Sequence, residues 1–146
     1  CKTGIGVVNG APRPLTALYC GYKTPTADVI RRVEQAWADR TDELSALYAR
    51  IGENVERGRI AAAAGDDLAF GRVLDDAHDL MRRLGVSTPE LETCAAQLRA
   101  MPGISGAKIS GSGLGDCVVG WGRTGVEASG FEQHHLSTAP GGMRLE

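Results

Sequence analysis

The 146-residue sequence lacks any excess of positive charge: 16 Lys and Arg stand against 18 Asp and Glu, a formal net charge of -2. Nucleic-acid binders concentrate Lys and Arg, so a nucleic-acid partner is excluded as the main function, while a small phosphorylated ligand is not. No apolar run approaches the length of a membrane span, and no charged-apolar-small leader opens the chain, so no membrane partner is expected. The four cysteines, Cys1, Cys20, Cys94 and Cys117, show no C-x-x-C spacing. They sit in apolar or strand-like stretches, as buried free thiols do, which points to a reducing, cytoplasmic compartment. His134 and His135 are adjacent, so on a strand they face opposite ways and cannot share a metal; no metal site is expected. Also missing are a Rossmann fingerprint, a Walker loop ending in Lys-Ser/Thr, internal repeats and any arguable Ser/His/Asp constellation.

What is present is one domain's length of chain with an ordinary 42% hydrophobic and 23% charged content. Its organising stretch is Gly106 to Gly120. Lys108 to Ser110 reads as an extended run, and Cys117 to Trp121 as an apolar strand. Between them Gly111, Gly113 and Gly115 alternate with Ser112 and Leu114, so the backbone there can take positive φ and approach a neighbour closely. Such a loop presents bare amide N–H groups and favours an anion, phosphate above all. A glycine-rich hairpin without a ligand is the plain alternative.

The remaining elements follow from local chemistry. Residues 5–20 read as a hairpin turning at Asn9-Gly10, with a buried strand from Leu15 to Cys20. Thr24 and Pro25 then resemble a helix start, with an apolar face of Val29, Ile30, Val33, Ala36 and Trp37. A second helix is predicted from about Thr41 with a stripe of Leu44, Leu47, Tyr48, Ile51 and Val55, with Gly58 and the Ala61 to Gly65 run as its fraying end. A third runs from Asp66 to Leu84, stopped by Gly85. His78 stands on it beside Asp75, Asp76 and Asp79, and the pattern reads as a solvated charged stripe rather than a metal or acid/base site. Ser87-Thr88-Pro89-Glu90 offers a capping box for a fourth helix to about Ala100. Residues 122–130 read as loop, and Gln133 to Ala139 and Met143 to Glu146 as closing strands. Strands, a helical block, then strands predict an α+β fold, an antiparallel sheet with about four helices on one face.

The run Lys108, Ser110, Gly111, Ser112, Gly113, Gly115, Cys117 resembles the third motif of the GHMP family of small-molecule kinases, Lys-x-Ser/Thr-Gly-Ala/Ser-Gly-x-Gly-x-Cys. Two positions depart: Leu114 stands where many members have Gly, and Asp116 makes the Gly115-Asp116-Cys117 triplet more like bacterial phosphomevalonate kinases. The end, Ala139 to Arg144, is similar to the ending of isoprenoid-pathway members. The likeness covers essentially the whole chain, so it implies that residues 1–146 are the ferredoxin-like GHMP C-terminal domain. The family's other two motifs are absent from the sequence, so the phosphate loop and the catalytic Asp and Lys are expected in an N-terminal domain outside it; no catalytic residue is expected within it.

The resemblance further implies ATP and Mg²⁺ as cofactors of the whole enzyme, with a small hydroxy acid as phosphoryl acceptor. Mevalonate is the first expectation and phosphomevalonate the alternative; the fragment alone is expected to be inactive. On this reading Ser110, Gly111, Ser112, Gly113, Leu114 and Gly115 meet the nucleotide's phosphates, and Thr24, Lys108 and Asp116 are candidates for the acceptor. Lys108 is equally an exposed strand lysine, Asp116 a hairpin hydrogen-bonder, and Thr24 a helix cap. Two non-kinase readings stay open: a stand-alone module sensing a small anion, and a dimerisation domain forming a homodimer.

Overall fold

The computed structural model describes residues 12–138. The chain runs β1 (Pro14–Tyr19), α1 (Thr26–Ala36), α2 (Thr41–Ala64), α3 (Asp67–Leu84), α4 (Pro89–Ala100), β2 (Ile104–Ile109), β3 (Cys117–Gly122) and β4 (Glu132–Ser137). The strands form one antiparallel sheet in the order β2-β3-β1-β4. The α+β architecture is the expected one. The first half of the 5–20 hairpin, including Asn9-Gly10, and the last closing strand lie outside the described residues.

The core forms where α4 lies on the sheet. Leu91, Cys94, Ala95 and Leu98 of α4 meet Leu18, Ala107, Ile109 and Val118 from three strands, all buried. Burying such side chains stabilises by roughly 1.5–3 kcal/mol each relative to exposure. The outer edge of β2 is closed by helix side chains. Ala107 N–H donates to Asp75 Oδ1 of α3 at 2.9 Å, and Arg99 of α4 donates to Ala107 O at 3.1 Å. Edge groups that would template another chain are thereby satisfied. The close approach of α3 needs glycine twice: a Cβ on Gly71 would stand 2.1 Å from Ser105 O, and one on Gly106 1.9 Å from Gly71 O.

The helical block differs from the sequence expectation in three places. The second helix ends at Ala64 with Gly65 as its left-handed cap, inside the expected Ala61 to Gly65 run, but it passes through Gly58 without fraying. Gly58 is buried where α2 crosses α3, and a Cβ there would lie 3.2 Å from Val73 Cγ1, so packing overrides its low propensity. Its buried face is Leu47, Asn54, Gly58 and Ala61 rather than the full predicted stripe; Tyr48 and Val55 are exposed. Asn54 belongs inside because its Nδ2 donates to Val73 O at 3.0 Å. His78 is fully buried and faces α4, against the expected solvated stripe. The fourth helix is capped by Thr88, whose hydroxyl accepts from Leu91 N–H, with Pro89 at the first helical position; Ser87 does not cap it.

Candidate functional site

The glycine loop joins β2 to β3 and closes with Ser110 N–H donating to Cys117 O at 2.8 Å. Five of its residues take positive φ: Gly111 at 79°, Gly113 at 87°, Leu114 at 54°, Gly115 at 132° and Asp116 at 74°. L-residues resist that region, so the conformation persists only where contacts hold it. Two segments do so. Leu114 N–H donates to Val86 O at 2.7 Å, and Gly113 lies so close that a Cβ would stand 2.3 Å from that same oxygen. On the other side Asp116 N–H donates to Tyr22 O at 2.7 Å, Cys20 N–H donates to Asp116 O at 2.9 Å, and the Thr24 hydroxyl donates to Leu114 O.

Val86 belongs to the α3–α4 connection and Tyr22 to Thr24 to the β1–α1 connection, and those connections are themselves tied. Tyr22 OH donates to Glu90 Oε2 at 2.9 Å, and its oxygen lies 2.8 Å from Thr88 Oγ1. The hydrogen bond from Tyr22 lies alongside one from Thr88, and together they hold the Glu90 carboxyl below its ordinary range beyond the effect of its own backbone N–H, the largest contribution. The loop is thus framed by two other connections, β1–α1 and α3–α4, that come from distant parts of the chain.

Among the described residues, the amides of Gly111, Ser112, Gly113 and Gly115 donate no hydrogen bond. Gly111 is exposed, and a Cβ on it would meet nothing within 4 Å. Ser112 Oγ lies 3.4 Å from Thr26 Oγ1, which brings the open part of the loop to the first turn of α1. Free amides, hydroxyls and a helix N-terminus together favour an anion. Beside them lies a cavity of about 230 Å³ whose lining includes Val29, Val33, Leu84, Val86 and Ser112. A larger one, about 530 Å³, opens between α2 and α3, but it shares no residue with the loop and its Arg57 is paired with Asp76.

The predicted residues are thus partly gathered. Thr24 meets the loop, but not as a helix cap: α1 begins after Pro25 with no side-chain cap, and the Thr24 hydroxyl is committed to Leu114 O. Asp116 shapes the turn, with Lys23 Nζ 3.1 Å from its Oδ2. Lys108 is half-buried, and its Nζ donates to Ile109 O rather than to the loop glycines. Burial lowers its pKa, and its neighbours Ala107 and Ile109 point into the core, so it belongs to the opposite face of the sheet. Burial first of all pushes the Cys94 thiol up to about 12 and the Cys117 thiol up to about 11, which makes both poor nucleophiles. Sequence reasoning missed Val86 as a partner of the loop; its one signal was an apolar residue directly after a helix-stopping glycine.

No helix of the described residues is long and apolar enough to cross a membrane. Among the described residues, no three or more His, Cys, Asp or Glu side chains gather to hold a metal ion.

Residues 59–133 match the family model "GHMP kinases C terminal", and the chain belongs to the GHMP kinases. It is 33% identical over 135 residues to mevalonate kinase of Aeropyrum pernix, covering 86% of this chain and 41% of that protein. Human galactokinase is 37% identical over 100 residues, 61% of this chain and 24% of that protein. Among solved structures, L. major mevalonate kinase in complex with R-mevalonate superposes with a TM-score of 0.76 at 27% identity, over 82% of this chain and 36% of that one. Streptococcus pneumoniae phosphomevalonate kinase in complex with phosphomevalonate and AMPPNP shares the fold, with a TM-score of 0.66 at 17% identity over 80% of this chain and 33% of that one. The chain therefore spans less than half the length of these relatives.

Proposed function

We propose that this domain serves a mevalonate kinase-like enzyme that phosphorylates a small hydroxy acid with ATP, most simply mevalonate, in the cytoplasmic synthesis of isoprenoids. The observation that carries this reading is the set of free loop amides beside the first turn of α1. Phosphoryl transfer is chiefly a matter of positioning and of stabilising charge on the phosphoryl oxygens. Gly111 and Ser112 N–H and the Ser110 and Ser112 hydroxyls would donate to the nucleotide's terminal phosphates, and Gly113, Leu114 and Gly115 would hold that segment in place. Bound magnesium would neutralise phosphate charge. In this proposal its protein ligands, like the catalytic groups, belong to an N-terminal partner domain.

Asp116 favours phosphomevalonate as a second reading through the Gly115-Asp116-Cys117 triplet. Its pairing with Lys23 gives it a turn-shaping role whichever acceptor is used, and Thr24 is likewise committed to the loop. The test is to assay the full-length protein with ATP and each acceptor in turn. Turnover of mevalonate supports the first reading; turnover of phosphomevalonate alone replaces it with the second. Residues 1–146 by themselves are expected to show no turnover.

A further inference from the structure

Three consecutive residues of the α3–α4 connection reach in three directions. Val86 accepts from the loop through its carbonyl, Thr88 caps α4 and meets the Tyr22 hydroxyl, and Ser87 between them donates its hydroxyl to Glu92 Oε1. The same oxygen lies 3.1 Å from His78 Nε2. An ionised carboxylate only accepts, so Nε2 carries the imidazole proton and Nδ1 is left as a bare lone pair. That Nδ1 is buried and has no partner. Arg82 Nη1 stands 3.9 Å from Glu92 Oε2 on the solvent side. A core built only for packing would place an apolar side chain at position 78; a buried imidazole with one nitrogen unsatisfied needs another reason.

We propose that Glu92, held between the His78 imidazole and the Ser87 hydroxyl, is a positioning residue for the glycine loop, acting through Val86 on the Leu114 N–H. Glu92 anchors Ser87 to α4, and His78 anchors Glu92 to α3. The peptide from Val86 to Ser87 is therefore fixed at the point where its carbonyl meets the loop. Because Gly113 packs without clearance on the same carbonyl, a shift there passes directly into the free amides beside it. The positioning claim does not depend on the kinase reading; only its consequence for nucleotide binding does.

The test is amide hydrogen exchange in the full-length protein. Ser87→Ala and Glu92→Ala should speed exchange at Leu114 about tenfold relative to Ala107, whose amide is held by Asp75 on the same strand pair. Ser87→Thr and Glu92→Gln keep the hydroxyl donor and the accepting oxygen and should restore protection. Ser87 is half-buried, so its alanine variant keeps the test open should Glu92→Ala fail to fold. Leu114 unmoved, or Leu114 and Ala107 accelerating together, would show a simple tie between α3 and α4 and overturn the proposal. On the kinase reading the alanine variants also raise the ATP KM about fivefold with kcat nearly constant. Selective loosening of Leu114 with KM unchanged upholds the positioning role and counts against the nucleotide reading alone.

Discussion

The glycine loop has two halves that the same residue type serves for opposite reasons. From Gly113 to Asp116 the backbone is gripped: Val86 takes the Leu114 amide, Tyr22 the Asp116 amide, and Thr24 reaches the Leu114 carbonyl. Glycine is needed there because a neighbour leaves no room. From Ser110 to Ser112 the chain is open, and Gly111 borders nothing within 4 Å. Glycine is needed there because of its φ of 79° alone. The comparison teaches that the gripped half is structural and aims the open half, which is how a site is made rigid before its ligand arrives.

Alanine at the two ends should separate these roles most sharply. Gly113→Ala combines a left-handed φ with a Cβ 2.3 Å from Val86 O, and should cost about 3 kcal/mol or more in urea unfolding. Gly111→Ala meets no clash and should cost about 1 kcal/mol, the conformational term alone. In the full-length protein Gly111→Ala should also weaken ATP binding by about tenfold, beyond anything its small stability loss explains. Equal stability losses for the two variants would dissolve the distinction.

Thr24 tests the grip from the other side. Thr24→Val keeps the shape and removes one hydrogen bond to Leu114 O, for about 1 kcal/mol, and Thr24→Ser should recover most of it. Helix content by circular dichroism should stay constant. A drop there would restore the capping role that α1 does without.

Much of this was legible in the sequence because local chemistry and fold agreed. Gly85 stops α3 in the left-handed conformation at φ 90°, Pro89 opens α4, and the alternation around Val118 marks a buried strand. What was not legible depends on distant neighbours. Thr24 next to Pro25 has the pattern of a cap, yet its hydroxyl goes to a residue ninety positions away. Gly58 looks like a helix end until Val73 of the next helix is laid against it. His78 among three aspartates looks solvated. Asp75 is drawn instead to the β2 edge and Asp76 to Arg57, which leaves the imidazole on the face that α4 covers. Periodicity tells which side a residue shares with its neighbours, and not which element comes to rest there.

The smallest expected effect is one of pH, and it falls on the gripped half. Burial, the largest influence, lowers the His78 pKa, aided by Arg99 of α4 and opposed by Glu92 of α4 and Asp79 on its own helix. Arg82, which approaches the far oxygen of Glu92, is the remaining charge at this junction. Burial also works to raise Glu92, but the Ser87 hydroxyl and His78 outweigh it and leave the carboxyl below its ordinary range. Both groups therefore bind protons more readily in the unfolded chain than in the folded one. Stability is fully present above the ordinary histidine value of about 6.5 and declines as pH falls below it. One proton sets a ceiling of about 1.4 kcal/mol per pH unit on the slope. Urea midpoints compared at about pH 7.5 and 5.5 should fall in the native chain, and fall less in His78→Gln, where the amide nitrogen supplies the same donor to Glu92 and does not titrate. Gly111→Ala should keep the native pH dependence in full, because nothing in the open half touches the imidazole. A His78→Gln variant as acid-sensitive as the parent would assign the decline to Glu92 and the other carboxylates instead.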